Sequence, residues 1–179
     1  MKAENQLQRH DGVMIPNSET ANALRASQAP RVESPLNRCH WIDMPSVNDY
    51  RGNLSFAVGG RHVPFDIRRV YYLYDIPSGA ERAGHAHRQL TQVFIALSGS
   101  FDLVLDDGLR QETVHLSRAH MGFVIVPFVW RVLNNFSGNS VCLVLASTDY
   151  DAGDYIRDYG EFIRETATRH GFPYNLPPG

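Results

Sequence analysis

Two histidines separated by one residue, His85 and His87, are the residues of this sequence best suited to do chemistry. Side chains two positions apart on an extended strand point to the same side. An extended segment therefore presents both imidazoles together, with the small Ala86 facing away. A lone histidine in a strand is usually structural or exposed, whereas a pair on one face is typical of a site. Because imidazole has an ordinary pKa close to neutral pH, the pair is suited to moving protons or to binding a metal.

The elements that must position this pair are short strands. After Cys39, runs rich in β-branched and aromatic residues alternate with Gly, Pro, Asn and Asp turn signals. The runs cover residues 54–58, 67–74, 91–97, 101–105, 110–116, 122–126, 129–136 and 141–147. About eight short strands joined by tight turns predict an all-β antiparallel sandwich or closed barrel, since both architectures protect sheet edges.

The two ends of the chain differ from this β-rich middle. Apolar residues at helical spacing predict one amphipathic helix over about 154–170, with Asp154 as its cap. Residues 1–35 are rich in Asn, Gln, Ser, Ala and Arg, which is typical of a disordered or loosely attached arm. Residues 36–179 are then expected to form one domain that ends with the helix.

Composition and charge exclude several classes of protein. A chain of 179 residues with 43% hydrophobic residues is typical of one globular domain, and a net charge of −2 gives no support for nucleic-acid binding. There is no signal-peptide pattern and no apolar run long enough to cross a membrane, so we expect the cytoplasm. Cys39 and Cys142 lie far apart and outside any Cys-x-x-Cys pair, which predicts neither a zinc site nor a disulfide framework.

The spacing around the histidines resembles the first motif of the cupin superfamily. That motif contains a glycine, a His-x-His pair, a glutamate and a second glycine, and here the set is Gly79, His85, His87, Gln92 and Gly99. The resemblance implies a jelly-roll-type antiparallel β-barrel with the histidines inside it.

Two departures from the cupin motifs argue against a bound metal. Gln92 stands where metal cupins have glutamate, and Arg131 stands nearest to the position of the histidine expected after Pro127. Transition metals prefer imidazole, carboxylate or thiolate ligands, and arginine stays protonated. We therefore expect no metal at this site and two histidines that are free to carry protons.

An ordered set of short motifs narrows the resemblance. The set is Asp49-Tyr-Arg51-Gly52-Asn-Leu54, Ile67-Arg68-Arg69-Val70-Tyr71-Tyr72, Arg82-x-x-His85-Ala86-His87, Gln92, Leu105-Asp106-Asp107-Gly108, Pro127-x-x-Trp130 and Tyr150-Asp151-x-x-Asp154-Tyr155-Ile156-Arg157-x-Tyr159. Over roughly residues 39–163 it resembles the nucleotide-sugar 3,4-ketoisomerases, the cupin family that acts on dTDP-4-keto-6-deoxy-D-glucose. The sequence departs from the family pattern at Ala83-Gly84 and at Arg131, where family members usually have histidine.

The resemblance implies a cofactor-free isomerase that converts a dTDP-linked 4-keto-6-deoxyhexose to its 3-keto isomer in deoxyamino-sugar biosynthesis. It also implies a homodimer with strand exchange between subunits. A 4-ketone acidifies the hydrogen on C3, and removal of that proton gives an enediol, a step suited to histidine. The sequence does not assign the two roles: one histidine would carry the carbon-bound proton, for which His87 is our choice, and the other would move the hydroxyl proton or polarise the oxygens.

Other side chains are candidates for binding such a substrate. Arginines would grip the pyrophosphate in fork geometry, an aromatic ring would stack on the base or sugar, and polar donors would stabilise the enediolate. The parity of the 67–74 run leaves open which of its neighbouring tyrosines faces the interior. The candidates are Arg69, Tyr71, Tyr72, Arg82, Gln92, Trp130 and Arg131.

Three other functions remain open from the sequence. One is a metal-dependent cupin oxygenase or isomerase, which would bind an ion through His85 and His87. The second is a nucleotide-sugar epimerase of the cupin class, which would invert a stereocentre and leave the ketone in place. The third is a non-catalytic nucleotide-sugar-binding cupin, to which Arg131 in place of histidine gives some support.

Overall fold

The structure is a computed structural model that describes residues 7–10, 13–16 and 33–171. Its strands are β1 (Leu7–His10), β2 (Val13–Pro16), β3 (His40–Asp43), β4 (Ser46–Asp49), β5 (Gly52–Ser55), β6 (Arg69–Leu73), β7 (Arg82–His87), β8 (Gln92–Ser98), β9 (Phe101–Asp106), β10 (Gln111–Leu116), β11 (Met121–Ile125), β12 (Trp130–Asn134), β13 (Val141–Ala146) and β14 (Tyr155–Ile156). One α-helix, α1, spans Tyr159–His170, and short 3-10 helices span Pro35–Arg38 and Ala152–Asp154.

Ten of these strands form two antiparallel sheets of five. Sheet I has the order β3-β11-β8-β13-β6, and sheet II has the order β10-β9-β12-β7-β14. One buried apolar cluster contains residues of both sheets, among them Phe94 and Phe123 from sheet I and Leu103 and Leu133 from sheet II. The predicted all-β antiparallel fold with a C-terminal helix is therefore confirmed.

Simple alternation explains the strands that line the core. In β9 the side chains of Phe101, Leu103 and Leu105 are fully buried, while the residues between them face outward. Period-2 patterning of this kind gives a strand one apolar face. In contrast β8 is buried on both faces, because a second cluster that includes Val63 and Met44 covers the outer side of sheet I.

Helix α1 covers the outer face of sheet II. Phe162 and Ile163 of the helix pack with Ala86, Ile156 and Phe128 in a third buried cluster. The Asp158 carboxylate accepts a hydrogen bond from the backbone N–H of Glu161, which satisfies a free donor at the helix start. The helix ends at Gly171, which has a left-handed φ of 68°.

The start of this helix corrects the sequence prediction. The helix begins at Tyr159 and not at Asp154, and Asp154 ends the preceding 3-10 helix with its side chain buried. Tyr155 and Ile156, which matched the helical period, instead pair with His87 and Ala86 at the edge of sheet II. Backbone pairing with an open sheet edge decided the local structure here.

A β-bulge in β7 lies just before the histidines. Arg131 pairs with His85 and Val132 pairs with Ala83, so Gly84 is the extra residue. Ala83 and Gly84 have φ values of 72° and 68°. The left-handed conformation is usual for a glycine in a bulge and uncommon for an alanine. Residues three positions apart on a regular strand point to opposite sides. Because of the extra residue, Arg82 and His85 instead both point into the space between the sheets.

The chain divides into two compact units, Met1–Val32 and Glu33–Gly179. In the first unit, β1 pairs with β2 as an antiparallel hairpin. The other residues up to Val32 lie outside the described residues, so the predicted loose arm stays a prediction there. The last two residues of the predicted arm, Ser34 and Pro35, are buried in the second unit, so the arm ends before them.

Replacing Gly99 by alanine tests the close packing between the β8–β9 turn and the 137–140 turn. Gly99 has a φ of +63°, and an added Cβ would lie 2.4 Å from Ser137 Oγ and 3.0 Å from Ser140. The Ser137 hydroxyl also accepts a hydrogen bond from the Ser100 backbone N–H at 2.8 Å, so it is not free to move. We expect Gly99→Ala to lower the free energy of unfolding by about 1–2 kcal/mol from φ alone, measured by urea denaturation.

Gly138→Ala is the matched control for this prediction. Gly138 lies in the facing turn, and a Cβ there would meet nothing within 4 Å. Equal stability of the two variants would contradict the packing described here.

Candidate active site

A cavity of about 410 Å³ lies between the two sheets. Sheet I contributes three residues of β6 and Phe94 of β8. Sheet II contributes residues of β7 and β12 and Tyr155 of β14, and Tyr150 comes from the segment before β14. The lining residues are Arg69, Tyr71, Leu73, Arg82, Ala83, His85, Phe94, Arg131, Leu133, Tyr150 and Tyr155. The cavity therefore combines an apolar wall with arginine, tyrosine and histidine side chains.

The two histidines contact each other edge to face at the end of β7. Their ring centroids are 4.9 Å apart with an interplanar angle of 86°. His85 lines the cavity, while His87 is fully buried behind the ring of His85. The ring of Tyr155 packs on both, at 4.9 Å from His85 and 4.2 Å from His87. The two imidazoles thus share one face, as the His-x-His spacing predicts.

The buried carboxylate of Asp154 orients His87. Asp154 Oδ2 lies 2.9 Å from His87 Nδ1, and the carboxylate also accepts hydrogen bonds from the backbone N–H groups of Gln89 at 2.7 Å and Leu90 at 3.3 Å. An ionised carboxylate accepts only, so His87 Nδ1 donates. The proton-free nitrogen is then Nε2, which has no partner within the described part of the chain. This arrangement makes His87 a proton acceptor through Nε2.

Both imidazoles are held in the neutral state. Burial, followed by the charge of Arg131, lowers the pKa of His85 from 6.5 to about 4. The same two causes, in the same order, lower the pKa of His87 to about 2. Loss of hydration disfavours the charged form, and a nearby cation adds to that effect. At neutral pH each ring is therefore unprotonated and keeps a nitrogen lone pair.

The charge of Arg131 is fully buried beside the histidines. Its Nη1 donates to the carbonyl of His85 at a long 3.5 Å, while Nε and Nη2 have no partner among the residues the structure describes. Burial lowers the pKa of Arg131 to about 10, and the neighbouring Tyr71 opposes this. The side chain stays protonated at neutral pH. A buried cation with two free donor atoms is suited to an oxygen that gains negative charge.

A second donor on the cavity wall is Tyr71. Gln92 Nε2 donates to the Tyr71 hydroxyl at 2.6 Å, which leaves the phenolic proton free to donate elsewhere. Burial raises the pKa of Tyr71 to about 12, so the phenol keeps this proton at neutral pH. Gln92 itself is buried behind Tyr71 and positions it.

Two arginines pack on tyrosine rings of the cavity wall, and one of them, Arg69, also lines the cavity. The guanidinium of Arg69 lies 5.4 Å from the ring centre of Tyr71 and 5.6 Å from that of Tyr150. Arg157 lies 4.1 Å from the ring centre of Tyr155. Such pairs combine phosphate-binding donors with flat surfaces on which a base or sugar stacks.

The structure brings most of the predicted site residues together. Five lie on the cavity wall and two, His87 and Gln92, lie directly behind it. The five are Arg69, Tyr71, Arg82, His85 and Arg131.

Two predicted binding residues, Tyr72 and Trp130, do not line this cavity. Tyr72 faces outward from β6 and is 60% exposed, since its neighbours Tyr71 and Leu73 take the inward positions. Trp130 packs on Tyr159 and Phe162 of α1, on the outer face of sheet II. Strand parity decides both cases, because Arg131 occupies the inward position next to Trp130.

The sequence analysis does not single out four residues that the structure places at or next to the histidines or the cavity: Asp154, Tyr150, Tyr155 and Arg157. The sequence predicts Asp154 as a helix cap and includes it in the ordered motif set. An aspartate between β13 and β14 does not by itself identify its partner in the sequence. The contact with His87 spans 67 positions of the chain, and only the fold shows it.

Residues 7–10, 13–16 and 33–171 contain no group of three His, Cys, Asp or Glu side chains that would hold a metal ion. Their one α-helix is too short and too polar to cross a membrane. The expectation that the site works without a metal stays a prediction.

The two facing antiparallel sheets and the histidine pair between them define a cupin-type protein. More narrowly, the chain belongs to the family described as FdtA: WxcM-like, C-terminal, whose sequence model matches residues 37–167.

Named relatives of the chain are 3,4-ketoisomerases. A TDP-4-oxo-6-deoxy-α-D-glucose-3,4-oxoisomerase from Aneurinibacillus thermoaerophilus is 39% identical over 70% of this chain and 91% of its own length. The crystal structure of a mutant of the 3,4-ketoisomerase QdtA from Thermoanaerobacterium thermosaccharolyticum, in complex with TDP-4-keto-6-deoxyglucose, matches with a TM-score of 0.72 at 36% identity, covering 73% of this chain and 95% of that one. The TDP-quinovose 3,4-ketoisomerase WlaRB from Campylobacter jejuni matches with a TM-score of 0.68 at 43% identity, covering 70% and 97%.

The low pKa values of the two histidines predict how stability depends on pH. In the unfolded chain both histidines bind a proton near pH 6.5. In the folded chain His85 does so only near pH 4 and His87 only near pH 2. Stability from this source is complete above about pH 6.5 and is lost as the pH falls towards 4. Each histidine contributes a slope of up to about 1.4 kcal/mol per pH unit.

Urea unfolding between pH 7.5 and pH 5 measures this dependence. We expect the free energy of unfolding of the native chain to fall more steeply than that of a His85→Asn, His87→Asn double variant. Parallel curves for the two proteins would contradict the buried neutral state of the pair.

Proposed function

We propose that this chain is a sugar 3,4-ketoisomerase that converts dTDP-4-keto-6-deoxy-D-glucose (TDP in the names of the relatives) to a dTDP-3-keto-6-deoxyhexose. The observation that carries the proposal is the buried contact of His87 Nδ1 with Asp154 at 2.9 Å, with His87 Nε2 left without a partner in the described structure. The family and its named relatives support the same activity.

The reaction begins with the proton on C3 of the sugar. The adjacent 4-ketone acidifies this C–H bond, and His87 Nε2 accepts the proton while the bonding electrons form the C3–C4 double bond. The carbonyl electrons move to O4, which becomes an enediolate oxygen. Asp154 then stabilises the imidazolium through Nδ1, as a carboxylate does in a catalytic triad. Return of the proton from Nε2 to C4, as the ketone forms at C3, completes the exchange.

The oxygen atoms need a proton carrier and a source of positive charge. His85 lines the cavity next to His87 and takes the hydroxyl proton from O3 to O4. The free donors of Arg131 and the phenol of Tyr71 stabilise the enediolate, with Gln92 holding the phenol in place. Because the ketone moves within one sugar, the route calls for no cofactor and no external electron acceptor.

The nucleotide part of the substrate is assigned to the cavity side rich in arginine. Arg69 and Arg82 line the cavity and carry charge for a pyrophosphate. Tyr150 beside Arg69 offers a flat surface for the base. In this assignment Tyr150 takes the stacking role that the sequence suggested for Trp130.

We also propose that the enzyme is a homodimer with exchanged strands. Val70, Tyr72 and Tyr74 form an uncovered apolar row on the outer face of β6, each more than half exposed. Every residue of the β4–β5 hairpin is exposed, including its apolar Val47 and Leu54. Contiguous exposed apolar surface is typical of an interface, and the hairpin is the element we assign to the exchange.

The cytoplasm is the proposed location of the enzyme, working on a nucleotide-linked sugar in deoxyamino-sugar biosynthesis. Both cysteines, Cys39 and Cys142, are free thiols, which agrees with a reducing compartment.

Incubation with dTDP-4-keto-6-deoxyglucose in deuterated water tests the function. We expect NMR to detect a 3-keto product, with deuterium at C4 in the molecules whose imidazolium proton exchanges with solvent before His87 returns it. His87→Asn is expected to lower kcat by about 10²- to 10⁴-fold, the usual contribution of a general base, and His85→Asn to lower it as well. An inverted stereocentre with the ketone still at C4 identifies an epimerase and contradicts the proposal.

His115→Asn is the matched control for the His87 variant. His115 also contacts an aspartate, Asp102, at 2.6 Å, but on the exposed side of β10. We expect full activity for this variant. Binding of dTDP-sugar by the native protein without any turnover would instead identify a non-catalytic binding protein.

Sedimentation of the purified chain tests the homodimer. We expect twice the chain mass of 20.2 kDa, and we expect Tyr72→Glu to shift the population to monomers because it places a charge in the apolar row. Leu109→Glu, at a similarly exposed leucine in the β9–β10 turn, is the control that keeps the dimer. A monomeric native chain overturns the proposed assembly.

A further inference from the structure

Arg88 follows His87 in the chain, and its side chain joins three parts of the fold outside the cavity. Nη1 donates to the carbonyl oxygens of Gly153 at 3.0 Å and Tyr155 at 2.9 Å. Nη2 donates to Glu161 at 2.8 Å, and Nε and Nη2 donate to the two carboxylate oxygens of Glu165 at 3.0 and 2.5 Å. The guanidinium therefore links β7 to the 153–155 segment and to α1.

The contacts of Arg88 enclose Asp154. Besides the two side-chain bonds to the neighbouring carbonyls, the backbone N–H of Arg88 donates to the Asp154 carbonyl at 3.0 Å. Three consecutive carbonyl groups, from Gly153 to Tyr155, thus accept hydrogen bonds from one residue. This fixes the main chain of the segment whose middle side chain reaches His87.

The two glutamates fix the guanidinium in turn. Glu161 and Glu165 lie one helical turn apart on the same side of α1, and both contact Arg88. Partly exposed ion pairs contribute little to stability, about 0–1 kcal/mol. A bidentate contact between arginine and a carboxylate does, however, fix the orientation of the planar guanidinium. Geometry is therefore the main contribution of this network.

We propose that Arg88 is a positioning residue for the isomerisation, which holds the 153–155 segment so that Asp154 keeps His87 in the Nδ1–H tautomer. The catalytic part of this inference rests on the proposed function, while the tautomer is a property of the free protein. If Asp154 turned away, Nε2 would carry the proton in part of the population. Molecules in that state have no free lone pair on His87 Nε2, the nitrogen that accepts the proton from C3.

Arg88→Met removes every side-chain donor while keeping the apolar stem, and Arg110→Met is its matched control. Arg110 also bonds to a glutamate and to a polar side chain, Glu112 and Asn37, but in the β9–β10 hairpin. Nitrogen-15 NMR of the free proteins reports the tautomer, with the His87 signals assigned by their absence in His87→Asn. We expect the Nδ1–H form in the native chain and in Arg110→Met, and a mixture of tautomers in Arg88→Met.

Kinetics supply a second readout. Arg88 is not part of the cavity wall, so KM is expected to stay within about two-fold. Small displacements of catalytic groups cost up to about 100-fold in rate, so we expect kcat to fall by about 10- to 100-fold. Arg88→Lys, which keeps the charge and one set of donors, is expected to recover part of both the rate and the tautomer.

Several results would overturn the inference. A folded Arg88→Met protein that keeps both the pure Nδ1–H tautomer of His87 and the native kcat would overturn it. If Arg88→Met does not fold, a Glu161→Gln, Glu165→Gln double variant removes the charges that orient Arg88, and a purely native tautomer there overturns the proposal. A native enzyme without ketoisomerase activity would instead contradict the proposed function, because the tautomer measurement is independent of turnover.

Discussion

The hydrogen bond between His87 and Asp154 is the interaction on which this site depends. An ionised carboxylate in a protein interior is costly unless hydrogen bonds satisfy it. Here it receives one bond from the imidazole and two from the backbone of the residues after β7. The fold provides this environment by pairing β14 with the edge of sheet II and covering the pair with α1. The helix thus serves the site without touching the cavity.

Charge in the interior is divided between two residues and not carried by the histidines. Arg131 is a buried cation and Asp154 a buried carboxylate, while burial and Arg131 keep His85 and His87 neutral. A neutral ring accepts a proton, and a preorganised cation stabilises the oxygen that becomes negative. Arg131 therefore supplies a buried positive charge beside two neutral imidazoles, an arrangement that suits an enediolate.

Local patterns predicted much of the architecture. The alternation of Phe101, Leu103 and Leu105, for example, fixes which face of β9 is inside. The spacing of His85 and His87 likewise places both rings on one face, which the structure brings to the cavity. These features depend on strand geometry alone, because a period of two needs no knowledge of the partner strand.

What the sequence determined by itself was the all-β class, the positions of most strands and the paired histidines. Tertiary structure decided the rest, since it depends on contacts between distant residues or on local irregularity. The bulge at Gly84 turns Arg82 to the same side as His85, against simple alternation. Sheet-edge pairing made Tyr155 part of a strand and Asp154 the partner of a histidine 67 positions away. No period in the sequence encodes a contact of that range, because packing of the whole chain selects it.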